Sequence, residues 1–363
     1  MEDTLKVGIL GAGSAAAGHA VAYSNIPDVE VSALWSRRRS TAEQLARQLN
    51  QPHIEIFENW QDVIERGRID VLSITALAAL RREAISAALE RGIHVLIEKP
   101  PAITLEDARA IVDLGERATA VTAVCFNWRY VPGALVARAS LREGQIGRIL
   151  DVRAEWRWGG LRADPLRIEH KPWLGQRELG GGMMREGGIH ELDRARFLAG
   201  QDVVRLVGRM TPWRGSPFPG ADRPEMNGET GYMLLVELSE GALGTYRYTL
   251  TFGQPAWDLV FHGSEGSLIV TNTTAIRQRA DDNQPVQLEI PEQDQVPADT
   301  QVGQYTWNRI VRDFVTAVRQ GDVAHADTPM LPTLRDGLRA IETVVAAEKS
   351  EAERRWVDLA ELR

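Results

Sequence analysis

A single cysteine, Cys125, is all the thiol chemistry available in 363 residues. No intramolecular disulfide and no cluster of cysteine metal ligands can be built from it. There is no run of about 18 uncharged apolar residues, the minimum for a helix that spans a bilayer. The opening Met1-Glu2-Asp3-Thr4-Leu5-Lys6 lacks the basic segment and apolar run of a secretory leader, so a cytoplasmic location is expected. Positive charge is in deficit: a net charge of -8 offers no general attraction for nucleic acid or an anionic membrane, and neither is expected as a partner. The 32 glycines follow no fixed period, which excludes a collagen-like chain.

What is present reads as two domains, the natural expectation for this length. Short apolar strands alternate with helices of roughly ten residues through the first third of the chain: Lys6–Leu10, Val29–Trp35, Asp70–Thr75, His94–Ile97 and Ala120–Phe126 as strands, with helices such as Ser14–Tyr23, Thr41–Leu49 and Leu105–Arg117 between them. Thr41 and Thr104 are placed to cap the last two helices. Such alternation implies parallel pairing, and a dinucleotide-binding domain is expected over residues 1–126.

From residue 127 the rhythm changes. Ile149–Trp158, Val203–Met210, Gly231–Leu238, Ala242–Phe252, Trp257–Gly263 and Ser267–Thr271 read as half-exposed strands, several joined by glycine-containing turns. A substrate-binding and oligomerisation domain with a large, mostly antiparallel open sheet is expected over residues 127–363. Gly133–Glu143 and the helix containing His190 would cover one face of that sheet, and the C-terminal helix would pack back on the first domain. Asp281–Thr300 reads as an exposed loop.

Gly11-Ala12-Gly13-Ser14-Ala15-Ala16 follows the dinucleotide fingerprint with alanine at the third glycine. The first glycine makes the tight turn and the second lets backbone approach a pyrophosphate. The motif ends a strand and opens a helix, as it must. Gly11, Gly13, Ser14 and Ala15 are the expected phosphate contacts. NAD-specific sites place an acid about 20 residues on to hold the ribose diol; here the second strand ends Leu34-Trp35-Ser36-Arg37-Arg38-Arg39. A hydroxyl and guanidiniums suit a 2'-phosphate, because the planar fork pairs with phosphate oxygens. NADP(H) is therefore the expected cofactor, held by Ser36, Arg37 and Arg38.

Two further segments carry chemistry. His94-Val95-Leu96-Ile97-Glu98-Lys99-Pro100 delivers a lysine at the carboxyl end of a buried parallel strand, where open α/β sheets bind ligands. Lys99 would stabilise negative charge on an alkoxide or ketone oxygen, and Glu98 would pair with that lysine or with a ribose hydroxyl. In Gly180-Gly181-Gly182-Met183-Met184-Arg185-Glu186-Gly187-Gly188-Ile189-His190-Glu191-Leu192-Asp193, the glycines give either close ligand access or a tight bend before a helix. Glu186, His190 and Asp193 share a face if the segment is helical. His190 titrates near neutrality and is suited to take and return a proton, with a carboxylate one turn away to orient it. No second histidine is near, so no metal is expected. Trp156, Trp158 and Trp173 would line a cleft, with Arg157, Arg162, Asp164 and Lys171 on hydroxyls of a small polyhydroxylated substrate.

With Gly11–His19, Glu98-Lys99-Pro100, Arg129-Tyr130-x-Pro132 and Gly180–Asp193 in this order and spacing, the chain resembles the Gfo/Idh/MocA oxidoreductases, the relatives of glucose–fructose oxidoreductase and inositol dehydrogenase. The resemblance implies interconversion of a secondary alcohol and a ketone, Lys99 as the lysine facing cofactor and substrate, His190 as acid/base, and a dimer or tetramer formed through the second domain's sheet. It places Ala76, Arg81 and Asn127 among the cofactor-facing residues. Two departures stand out. Glu186 occupies a position where aspartate is usual, and Ala76-Leu77-Ala78 with Arg81 replaces Thr-Pro-Asn and a following histidine. Arg81 would then contact phosphate or be a solvated helix residue. Two other readings compete: a non-catalytic NADP(H)-binding sensor or structural protein, and a lyase or hydrolase with a retained nicotinamide cofactor.

Overall fold

The computed structural model describes residues 4–51, 53–158, 172–214, 223, 225–250, 256–282 and 284–362, except for the side chains of Trp158 and Pro172. The chain divides into two compact units: Met1–Asn127 with Pro297–Leu338, and Trp128–Val296 with Arg339–Arg363. Residues 297–338 thus belong to the first unit, where the sequence division had ended at residue 126.

The first unit is built on strands β1 (Leu5–Leu10), β2 (Val29–Trp35), β3 (Glu55–Phe57), β4 (Val71–Ile74), β5 (His94–Glu98) and β6 (Thr122–Cys125). They form one sheet in the order β3-β2-β1-β4-β5-β6, with every pairing parallel. A parallel sheet covered on both faces needs near-continuous apolar runs. Val7, Ile9, Leu10, Val71, Leu72, Ile74, Leu96 and Ile97 are accordingly all inaccessible to solvent. The order reverses between β1 and β4, and the crevice outside their carboxyl ends is where such sheets bind ligands.

Helices α1 (Ser14–Ser24), α2 (Arg39–Leu49), α3 (Trp60–Arg66), α4 (Arg81–Leu89) and α5 (Leu105–Arg117) make the crossovers. Thr104 caps α5 as expected, accepting the Asp107 N–H at 3.1 Å. Thr41 is no cap. Helix α2 starts earlier, at Arg39, and the Thr41 hydroxyl instead bonds back to the Arg38 carbonyl at 2.7 Å.

The second unit carries β7 (Ile149–Trp158), β8 (Val203–Pro212), β9 (Glu229–Leu238), β10 (Leu243–Leu250), β11 (Ala256–Gly263), β12 (Gly266–Val270), β13 (Ala275–Arg279), β14 (Val286–Gln287) and β15 (Val357–Asp358). Their order is β14-β13-β12-β11-β7-β10-β9-β8-β15. Among the described residues β7 and β10 pair in parallel and the other neighbours are antiparallel. Helices α6 (Pro132–Arg142) and α7 (Ile189–Ala199) lie on the inner face, where Val152, Ala154, Trp156, Leu234, Val236 and Tyr246 are buried. The opposite face carries Arg153, Thr245 and Arg247 together with the exposed apolar Met233, Leu235 and Leu243. Two long helices follow late in the chain, α8 (Val302–Gln320) and α9 (Leu334–Glu353). No helix among the described residues is long and apolar enough to cross a membrane.

Candidate functional site

In the first unit the fingerprint is built as the glycine spacing requires. Gly11 has φ +115°, and a Cβ there would overlap Thr75 Oγ1. Gly13 is the N-cap of α1, and a Cβ on it would meet nothing within 4 Å, so backbone is open to an incoming ligand. Behind it lie the N–H groups of Ser14, Ala15 and Ala16, which the helix itself leaves without acceptors. With the positive end of the helix dipole, they form a cradle that fits a pyrophosphate. Ala16 is fully buried against the sheet. One glycine was not singled out by the fingerprint: a Cβ on Gly18 would overlap the Trp307 indole of α8, so α1 and α8 meet through Gly18.

At the end of β2, Arg37 and Arg38 are exposed, and among the described residues neither guanidinium has an ion-pair partner. Arg39 is committed elsewhere, to Glu43 at 3.0 Å and to Glu58. The Ser36 hydroxyl is hydrogen-bonded to Thr41 at 2.8 Å.

Lys99 follows β5 and is half-buried. Glu98 lies beneath it and is buried. Its carboxylate accepts the Lys99 backbone N–H at 3.1 Å, His19 Nε2 at 3.1 Å and Trp307 Nε1 at 3.4 Å. His19 Nδ1 in turn meets Ser73 Oγ at 2.7 Å. The donor atoms of His19, Glu98 and Cys125 lie within 4.8 Å of one another. Burial, reinforced by the Glu98 charge, holds the Cys125 thiol well above its ordinary pKa. This network was not read from the sequence. A histidine facing into an alanine-rich, uncharged helix was the available signal, because a buried imidazole needs partners on both nitrogens.

Arg81 is neither solvated nor presented to a phosphate. It is buried, and its donors go to the carbonyls of Ala76, Glu98 and Pro100. Ala76 is half-buried beside the β1–β4 crevice. Asn127 is also buried, and its amide is used internally, donating to Thr306 Oγ1 at 2.7 Å.

In the second unit the triple glycine makes a tight bend. Gly180 and Gly182 have φ of +81° and +96°, and a Cβ on Gly181 or Gly182 would overlap backbone carbonyls or the Glu229 carboxylate. Met184–Gly188 then forms a π-helical turn that runs into α7. Gly187 and Gly188 let this turn lie directly on Tyr248 and Tyr232 of the sheet. Glu186 is half-buried in it, and His190, one turn further on, is buried. The His190 ring stands edge-on to Trp128 at 6.1 Å, and Trp128, Trp156, Tyr248 and Tyr232 continue the aromatic row.

Asp193, one turn beyond His190, is buried and engaged with Arg129. It accepts two hydrogen bonds from Arg129, at 2.7 and 2.6 Å. Trp156 is core rather than cleft lining, and Arg157 lies exposed on the opposite face of β7. Trp173 is half-buried in a short turn, Pro172–Gly175. Arg162, Asp164, Lys171 and the Trp158 indole lie outside the described residues.

Comparison with known proteins agrees with this construction. Residues 5–126 match the family model for an oxidoreductase family with an NAD-binding Rossmann fold, and residues 138–359 match the model for its C-terminal alpha/beta domain. A levoglucosan dehydrogenase from Pseudarthrobacter phenanthrenivorans is 27% identical over 296 residues, covering 74% of this chain and 73% of that protein. A D-glucoside 3-dehydrogenase from Escherichia coli is 32% identical over 208 residues, 56% of each. The solved structure of a levoglucosan dehydrogenase in complex with NADH and levoglucosan superposes with a TM-score of 0.83 at 23% identity, over 98% of this chain and 99% of that one. The chain belongs to the Gfo/Idh/MocA oxidoreductase family.

Proposed function

We propose that the protein is an NADP(H)-dependent oxidoreductase that interconverts a secondary alcohol and a ketone on a sugar or cyclitol. The observation that carries this reading is a lysine held at the carboxyl end of β5, in the same unit as a phosphate cradle with open backbone at Gly13. The sugar dehydrogenases among its relatives support the substrate class. The exposed Arg37 and Arg38, without an ion-pair partner among the described residues, in a segment Ser36-Arg37-Arg38-Arg39 that itself contains no acid, support the preference for a 2'-phosphate.

When bound, a nicotinamide supplies hydride acceptance or donation. The protein supplies the rest. Gly11, Gly13 and the first N–H groups of α1 would hold the pyrophosphate, and Ser36, Arg37 and Arg38 the ribose phosphate. In oxidation, His190 takes the hydroxyl proton and the Lys99 ammonium steadies the developing alkoxide; in reduction, His190 returns the proton to the carbonyl oxygen that Lys99 polarises. Glu186, one turn before His190, is assigned to orient it.

A panel of cyclitols, aldoses and keto-sugars, followed by nicotinamide absorbance with both cofactors in both directions, tests the reading. Turnover of at least one member is expected, with Lys99→Met and His190→Asn each lowering kcat by about 10²–10⁴-fold while cofactor affinity changes little. Equal losses of turnover and cofactor affinity would favour a binding protein. Substrate conversion without net cofactor oxidation or reduction would favour a lyase or hydrolase.

A further inference from the structure

Arg81 opens α4, directly after the loop that follows β4. Its guanidinium is buried, with the side chain's Nε and Nη2 donating to the Ala76 carbonyl at 3.1 and 2.8 Å. Nη1 donates to the carbonyls of Glu98 and Pro100. One planar fork therefore joins two loops, those leaving the neighbouring strands β4 and β5. The carbonyls it grips in the second loop are those immediately before and after Lys99. The Lys99 N–H is held separately by the Glu98 carboxylate, which His19 supports from below.

This is an expensive way to fill the space. A buried cation loses hydration, and here it takes carbonyl dipoles rather than a direct carboxylate in exchange. An apolar side chain of similar volume would close the start of α4 without that cost. What an apolar chain is unable to do is hold three carbonyls in a fixed relation, and a lysine, as a point charge on a flexible stem, does it poorly.

We propose that Arg81 is a positioning residue for Lys99. By clamping the backbone on both sides of Lys99 and tying it to Ala76, it sets where the ammonium is presented and keeps the β4 loop and the β5 loop in register. This rests on the role given to Lys99 above. It also accounts for the departure at Ala76-Leu77-Ala78: backbone, held by Arg81, replaces side chains in shaping that loop.

The test uses the full-length protein with NADPH and NADP⁺, and with levoglucosan, myo-inositol and the wider sugar panel as probe substrates. Arg81→Lys is expected to fold, to keep NADPH affinity within about 3-fold, and to lower kcat by about 10–100-fold, the scale of an ångström-sized misplacement. Arg81→Met is expected to be slower still. In a Lys99→Met background, Arg81→Lys should change the residual rate by less than about 2-fold, since two residues acting as one device are not additive. Amide exchange across residues 95–102 should accelerate in Arg81→Lys without a matching loss of global stability.

Additive losses in the double variant, or a parallel fall in cofactor affinity, would overturn the proposal while leaving Lys99's role intact. Failure of both Arg81 variants to fold would also overturn it, by assigning Arg81 to stability. Lys99→Met with undiminished turnover, or no turnover of the panel by the unaltered protein, would sink the functional reading itself and the positioning role with it.

Discussion

Asp193 receives both arms of the Arg129 guanidinium, at 2.7 and 2.6 Å, in surroundings where neither side chain reaches solvent to any useful extent. The guanidinium also lies 4.1 Å from the centre of the Phe197 ring. The pair ties the turn after β6 to α7, one helical turn beyond His190. Its two members are separated by 64 residues, so it closes a long loop of the second unit.

Removing one partner strands a charge without hydration. Asp193→Asn is therefore expected to destabilise the second unit by about 3–5 kcal/mol. An Arg129→Met, Asp193→Leu double variant should recover most of that loss. Urea unfolding, with separate probes for the two units, measures both. Equal stability of the single and double variants would show that the stranded charge is not what matters.

Glu229 makes a second buried contact to the same segment, accepting the Met184 N–H at 2.9 Å. Burial raises its carboxyl from the ordinary 4.5 to about 6, against the lowering effect of the Met184 N–H and Arg185. Between these values the folded protein holds more protons than the unfolded chain. Stability from this group is complete below pH 4.5 and is lost as the pH rises through 6. The shift corresponds to about 2 kcal/mol. Glu229→Gln keeps an acceptor for Met184 and never ionises. It is expected to match the parent at pH 4.5 and exceed it in stability at pH 7.5, as read from urea midpoints. A constant difference across that range would refute the assignment.

Cofactor preference turns on the end of β2. Arg37→Ala should reduce the ratio of NADP to NAD affinity by about 10-fold or more, the loss of one charge-assisted contact to phosphate. Fluorescence titration with each reduced cofactor measures it. An unchanged ratio would remove Arg37 from the ribose-phosphate site.

The exposed Met233, Leu235 and Leu243 on the outer face of the second sheet motivate the expected dimer or tetramer. A Met233→Lys, Leu235→Lys variant should sediment as a smaller species than the parent, with its thermal transition lowered. An unaltered sedimentation coefficient would place the subunit contact elsewhere, or show that the parent is already a monomer.

The parts of this molecule legible in its sequence are those governed by local pattern. Val7–Leu10 is continuously apolar because both faces of its sheet are covered, and Ile149–Trp158 alternates because one face is left open. The Gly11 and Gly13 assignments rested on a turn whose geometry admits little else. Strand β3 escaped because three residues at a sheet edge, with Phe57 alone buried, show no period. Strand β13 escaped because Arg277, Gln278 and Arg279 look like loop. The sequence reads Arg81 as facing phosphate or solvent, Glu98 as pairing with Lys99 or a ribose hydroxyl, and Asp193 as sharing a face with His190. The structure gives each a set of partners that local pattern does not show: Arg81 the carbonyls of Ala76, Glu98 and Pro100, Asp193 the Arg129 guanidinium, and Glu98 His19 and Trp307. Side-chain chemistry names the donors a residue has, and only tertiary structure says where they are spent.

The contact between Gly18 and Trp307 has a consequence for how the protein is made. During synthesis the nucleotide-binding half emerges first, yet the indole that seats against α1 and reaches Glu98 follows nearly 300 residues behind Gly18. A nascent chain halted after β6 leaves that groove bare and the Glu98 carboxylate short of one donor. Completion of the amino-terminal unit, to which residues 297–338 belong, therefore awaits translation of the intervening sheet.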